Sequence, residues 1–354
     1  MRLASRRHLL GWGGGIAAAT ILRPSVGGSN QTRQITDSAG RRIELPAQIT
    51  RVFAAGPPAA IILYTLAPDT LIGWTRAFDF DEQAFIPEHY AKLPGLGRLT
   101  GRGNTANIEA VLAAKPDVVF DYGSIAPTFV SLADRVQQQT GVPYVLVDGS
   151  FGAIEHAYTV LGAMVGDTKG AADLITATRA ILAKVDSVLA RQTRHPRIYY
   201  ARGPNGLNTG LGGSINVECL ERLGAINVAA QALGRGGLVT VSLEQVLTWN
   251  PEIIVTSDDN FYRAVGNDLA WRGIDAVKNR RVYLSPGLPF GWVDFPPSVN
   301  RLIGLLWLLA VLYPESYPGS LRQDVAAFYD QYYHRRPTDA QLDSLLVDSR
   351  GLRP

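Results

Sequence analysis

The sequence predicts an α/β protein of two Rossmann-like lobes with mainly parallel sheets, joined by a single long backbone helix. Three observations predict it. Short β-branched strands alternate with helices along most of the 354 residues, as in a parallel sheet. The segment N-I-E-A-V-L-A-A-K-P-D-V-V-F, Asn107 to Phe120, returns as S-L-E-Q-V-L-T-W-N-P-E-I-I-V, Ser242 to Val255. Between the copies, Lys169 to Arg191 carries one apolar stripe through Ala171, Leu174, Thr178, Leu182, Val185 and Leu189.

In each copy a capping residue opens a short apolar helix, and Glu109 or Glu244 stands in its first turn. Pro116 or Pro251 then ends the helix before a strand. Two copies mean two similar halves, and the chain is too long for one ordinary core. A net charge of +3 is too small for a nucleic-acid surface, so no nucleic-acid partner is expected. The single cysteine, Cys219, excludes an intrachain disulfide framework and cysteine-rich metal sites. It reads as a small buried hydrophobe.

Residues 1–30 read as an export signal: a basic start with Arg6-Arg7, then an apolar run to about Leu22. The arginine pair favours the twin-arginine class over a Sec signal that happens to hold two arginines. No cysteine follows the apolar run, so no lipid anchor is expected, and the longest later apolar stretch, Leu302 to Leu312, is too short to span a membrane. The mature protein is expected to be soluble, periplasmic and monomeric.

Residues 33–150 form the expected N-terminal lobe. Gln34 to Pro46 reads as a hairpin around Ala39-Gly40, Arg51 to Ala55 as a strand, Ala59 to Leu66 as a helix and Leu71 to Trp74 as a second strand. A loop rich in Gly and Arg precedes the first repeat. Val130 to Thr140 is a helix and Tyr144 to Val147 a strand. Residues 151–193 link the lobes, and their helix, about 35 Å long, acts as a strut. The second lobe, residues 196–334, opens on R-I-Y-Y-A-R-G-P, an echo of R-V-F-A-A-G-P-P at Arg51. It continues through a helix from Asn216 to Leu223, the repeat, a strand near Arg281 to Leu284, and a rigid aromatic loop ending at Trp292. A buried helix from Val299 to Tyr313 follows, and an amphipathic one from Leu321 to Tyr333 is expected to cover this lobe. The tail, residues 335–354, is expected to be loosely held.

Signatures of catalysis are absent: there is no G-x-S-x-G, P-loop, H-E-x-x-H or strand-linked G-x-G-x-x-G. His8, His89, His156, His195 and His334 lack metal-ligand spacing. No enzyme activity, cofactor or metal-binding residue is expected. Ligands of open α/β sheets collect beyond the carboxyl ends of the strands. Those ends carry Arg76, Tyr122 and Phe151 in the first half and Arg202, Tyr262, Phe290 and Trp292 in the second. Guanidinium groups and rings suit a large anionic ligand with aromatic or apolar parts. The helix dipole alone accounts for Glu109 and Glu244, but their recurrence also fits docking to a symmetric partner.

The hairpin D-S-A-G-R-R-I-E-L-P, R-V-F-A-A-G-P-P, L-I-G-W, N-I-E-A-V-L-A-A-K-P-D, V-S-L-E-Q-V-L, and F-G-W-V-D-F-P-P-S-V-N-R-L-I-G-L-L-W-L from Phe290 to Leu308 together carry a resemblance. The chain resembles the periplasmic substrate-binding proteins of ABC importers for iron-siderophores, haem and cobalamin, over nearly the whole mature length. The resemblance implies an inter-lobe cleft binding a metal chelate, with a ferric siderophore favoured over haem, cobalamin, another metal complex or an oxyanion such as molybdate. For haem, Tyr122 or Tyr262 could supply the axial ligand. It also implies that Glu109 and Glu244 meet arginines on the two permease subunits. Ile61 departs from the family, many of whose members carry an acid there. An exported enzyme acting on a chelate is the rival from another class.

Overall fold

The computed structural model describes residues 32–101, 107–347 and 351–352, so the signal expected at residues 1–30 lies outside the described residues. The first lobe is built on a three-stranded parallel sheet in the order Val52–Ala54, Val118–Gly123, Tyr144–Asp148. The second has a four-stranded parallel sheet in the order Val282–Leu284, Ile253–Thr256, Arg197–Ala201, Ile226–Asn227. Both sheets are covered on both faces, which is why V-V-F and I-I-V are continuous apolar runs instead of alternating ones. The hairpin pairs Thr32–Thr36 with Arg42–Pro46 as expected. Leu71 to Trp74 is not a regular strand. It touches its neighbours through single bridges, Val52 with Leu71 and Trp74 with Gly95, and the Trp74 ring nitrogen donates to the Tyr90 carbonyl at 2.8 Å.

The repeat forms two closely matching units. Ile108–Ala114 is capped by the Asn107 side chain, and Leu243–Trp249 by Ser242 in a capping box with Gln245. Each ends on a left-handed residue, Lys115 at φ 45° and Asn250 at φ 41°. Buried, half-buried and exposed positions agree one for one between residues 107–116 and 242–251.

The strut is the helix Thr168–Leu189, started by Asp167, whose carboxylate accepts the Gly170 N–H at 2.8 Å. It buries Ala171, Leu174, Thr178, Val185 and Val188. One apolar cluster runs through both lobes, from Val52, Tyr64 and Val145 to Ile198, Tyr200, Val255 and the helix Arg301–Leu312. Two smaller clusters fill the outer faces. Gly304 is required where it stands, since a Cβ there would lie 1.9 Å from the Trp292 carbonyl oxygen.

Two expectations are corrected. The helix Leu321–Tyr333 does not merely cover the second lobe: it reaches the first, where Tyr64 donates to the Tyr333 carbonyl at 2.6 Å and His334 meets the Tyr64 carbonyl at 3.0 Å. Nor are residues 338–347 loosely held. Asp339–Leu346 is a helix with a capping box from Thr338 and Gln341 that buries Leu342 and Leu345, and Gln341 donates to the Ala84 carbonyl at 3.0 Å. An amphipathic stripe says that a face is buried, not which lobe buries it. Among the described residues, no helix is long and apolar enough to cross a membrane.

Candidate functional site

The segment Ser285 to Asn300 leaves the last strand of the second lobe and packs on the first. Phe290 lies 5.8 Å from the Trp74 ring and 5.9 Å from that of Phe78, and Ser298 donates to the Pro58 carbonyl at 2.8 Å. At its centre is Asp294, buried among polar donors. Tyr200 donates to one carboxylate oxygen; Asn216 donates to the other at 2.8 Å, and the Arg202 Nε lies 3.1 Å from that same oxygen. Burial raises the Asp294 carboxyl above the usual range, and the charge of Arg202 opposes that rise.

Arg202 follows the strand Arg197–Ala201, and reciprocal backbone bonds with Asn208, at 2.8 and 3.2 Å, hold its Cα. Its side chain is 12% exposed. Nε faces Asp294 without the angle of a hydrogen bond, and neither Nη nitrogen donates to any described residue. A guanidinium held from behind by a carboxylate, with its fork unspent, can receive two oxygens of an anion.

Arg301 is fully buried between the lobes. Its Nε donates to the Ser298 carbonyl at 3.0 Å, one Nη to the Gly149 carbonyl at 2.7 Å and the other to Glu218, with its carbon 5.4 Å from the centre of the Phe151 ring. Glu218 in turn accepts the Phe151 N–H at 3.1 Å. The sequence reading missed Arg301, Glu218 and Asp294. One signal was present for Asp294: a lone acid in the apolar run V-D-F-P-P needs a buried partner.

The predicted ligand residues are not gathered in one open cleft. Arg76 is 62% exposed and chelated by Glu82. Tyr122 is buried, its hydroxyl makes no hydrogen bond of good geometry among the described residues, and burial pushes it up to about 12 against the opposing charge of Arg301. The Tyr262 hydroxyl donates to the Gly351 carbonyl at 2.9 Å, within the outer cluster of the second lobe. Trp292 is fully buried with its indole nitrogen 3.1 Å from the Tyr329 hydroxyl, and Phe290 is spent on Trp74, Phe78 and Tyr333. In this structure these rings are buried and spend their contacts on other protein groups. A loop has no periodicity to report which side of it faces inward. A cavity of about 310 Å³ lies along the strut, lined by Phe151, Ile154, Glu155, Thr178, Leu182 and Glu218 among others; Phe151 is the one strand-end candidate in that lining, and Arg76, Tyr122, Arg202, Tyr262, Phe290 and Trp292 lie elsewhere.

Glu109 and Glu244 are both exposed. Asn107 donates to the Glu109 carboxylate at 2.9 Å, and the Glu244 carboxyl is held below its usual value by its own backbone N–H and the Ser242 hydroxyl. Among the described residues no group of His, Cys, Asp and Glu could hold a metal ion.

Two parallel-sheet lobes on a strut, closing over buried charged groups, define a bilobal solute-binding protein of the ABC-transporter class. The chain belongs to the periplasmic binding protein family, whose sequence model matches residues 68–287, more than half of its length. It is 28% identical to the molybdate-binding protein MolA of Haemophilus influenzae, over 85% of this chain and 91% of that one. An ABC transporter solute binding protein from Sulfurospirillum deleyianum superposes with a TM-score of 0.79 at 28% identity, covering 89% of this chain and 99% of that one. The MolA structure bound to molybdate gives 0.72 at 24% identity, covering 86% and 99%. The family resemblance and the two-lobe α/β fold read from the sequence are thus shown, and the named relatives are binding proteins.

Proposed function

We propose that this protein binds a compact oxyanion of the molybdate type between its lobes and hands it to a membrane ABC permease. The observation that carries this reading is Arg202, paired through Nε with the buried Asp294 and with neither Nη nitrogen donating to a described residue. Two further facts support it. The rings that would stack on a siderophore are in the core, and a relative of similar length is named for molybdate. A second reading, the ferric chelate favoured by sequence, draws on Phe295, which is 67% exposed next to Asp294. In both readings the first thirty or so residues export the chain, through the twin-arginine route, to the periplasm, and Glu109 and Glu244 dock to the permease.

Calorimetric titration with molybdate, tungstate and sulfate, beside fluorescence titration with ferric hydroxamate and catecholate chelates, separates the readings. Molybdate is expected to bind, and Arg202→Ala to weaken it about a hundredfold, as when one partner of a buried charge pair is removed. Binding of a ferric chelate with no molybdate binding at millimolar concentration would overturn the oxyanion reading.

A further inference from the structure

Within the repeat, five positions of each copy are exposed: Asn107, Glu109, Leu112, Ala113 and Lys115 in one, Ser242, Glu244, Leu247, Thr248 and Asn250 in the other. Only the glutamate and the leucine are the same in both. Shared buried residues such as Val111 and Val246 are accounted for by packing in their own lobes. The leucines belong to none of the three core clusters. They are 47% and 38% exposed, and in helix propensity a leucine gains nothing over the alanine found beside it. One exposed leucine is ordinary on any surface. The same leucine on the same face of both copies is not.

In each helix the leucine lies three residues beyond the glutamate, so the two side chains are surface neighbours. We infer that Leu112 and Leu247 are the apolar half of two equivalent docking contacts, and that the permease offers, twice, a basic side chain rimmed by apolar groups. This rests on the docking reading of Glu109 and Glu244. An exposed ion pair alone contributes little and fades with salt. An apolar contact beside it excludes water and carries the binding. The adjoining carboxylates argue against other occupants, because an anionic lipid surface or a second copy of this face would meet like charge.

The test uses the full chain and membrane vesicles from its own organism, periplasmic face outward, with binding measured from low to high salt. Leu112→Ser/Leu247→Ser is expected to bind at least tenfold more weakly with an unchanged salt dependence, Leu112→Met/Leu247→Met to bind as wild type, and thermal melting to be unaltered in both. Glu109→Arg/Glu244→Arg is expected to lose binding and its salt dependence together. If the glutamate pair loses binding while the serine pair stays within twofold of wild type, the leucine inference is wrong and the docking reading stands. If neither pair changes binding, both fall. Loss in the serine pair alone refutes the glutamate reading and keeps the leucines as the contact.

Discussion

At the scale of single residues, the buried carboxyl of Asp121 ties the stability of the first lobe to pH. Asp121 is buried at the end of the central strand, where Tyr144 donates to it at 2.9 Å and Thr100 at 3.1 Å. Burial raises its carboxyl above the ordinary value. The folded state therefore holds this proton more tightly than the unfolded one, whose carboxyl titrates near about 3.9. Its contribution to stability is best below that pH and worsens as pH rises to the raised folded value, above which the whole cost of a buried carboxylate is present. Asp121→Asn removes this titration. Urea unfolding from about pH 4 to pH 7 is expected to show wild type losing ground to the variant as pH rises; parallel profiles would contradict the account. Asp294 shifts in the same direction, so the variant flattens only part of the profile.

At the scale of elements, the duplicated helices end alike but are stabilised differently. Lys115 and Asn250 both sit in the left-handed region, where a Cβ is unfavourable. The Lys115 carbonyl accepts from Arg51, a bond that glycine would keep. The Asn250 side chain donates to Asp275 at 2.8 Å and accepts its N–H at 2.9 Å, bonds that glycine would lose. Lys115→Gly is therefore expected to stabilise by about 0.5 kcal/mol, and Asn250→Gly to destabilise by about 1 kcal/mol. Denaturant midpoints moving in the same direction would refute this. These elements were legible in the sequence because their signals are local: Asn or Ser before the helix, Pro after it, β-branched residues beyond. The aromatic segment was legible as a loop, but the packing of Trp292 against Tyr329 was not. Proline and glycine fix a backbone without stating whether an indole meets Tyr329 or solvent.

At the scale of the molecule, the two lobes were legible from duplication and the strut from its stripe. The shared core was not, since contacts such as Ser298 with Pro58 or Arg301 with Gly149 join residues with nothing in common in sequence. The same holds for the return of the C-terminal helices to the first lobe. Deleting residues 338–354 removes the buried Leu342 and Leu345 and the carbonyl that Tyr262 bonds. A loss of about 3 to 5 kcal/mol is expected from the two leucines alone, read as a lower midpoint in urea; an unchanged midpoint would show the tail to be dispensable. The contact of Tyr64 with Tyr333 and His334 also governs the order of assembly. The lobe that leaves the ribosome first cannot finish its core until the last helices have been synthesised, so its completion waits for almost the entire chain. Such long-range closure slows folding and leaves the early lobe open to chaperones throughout translation.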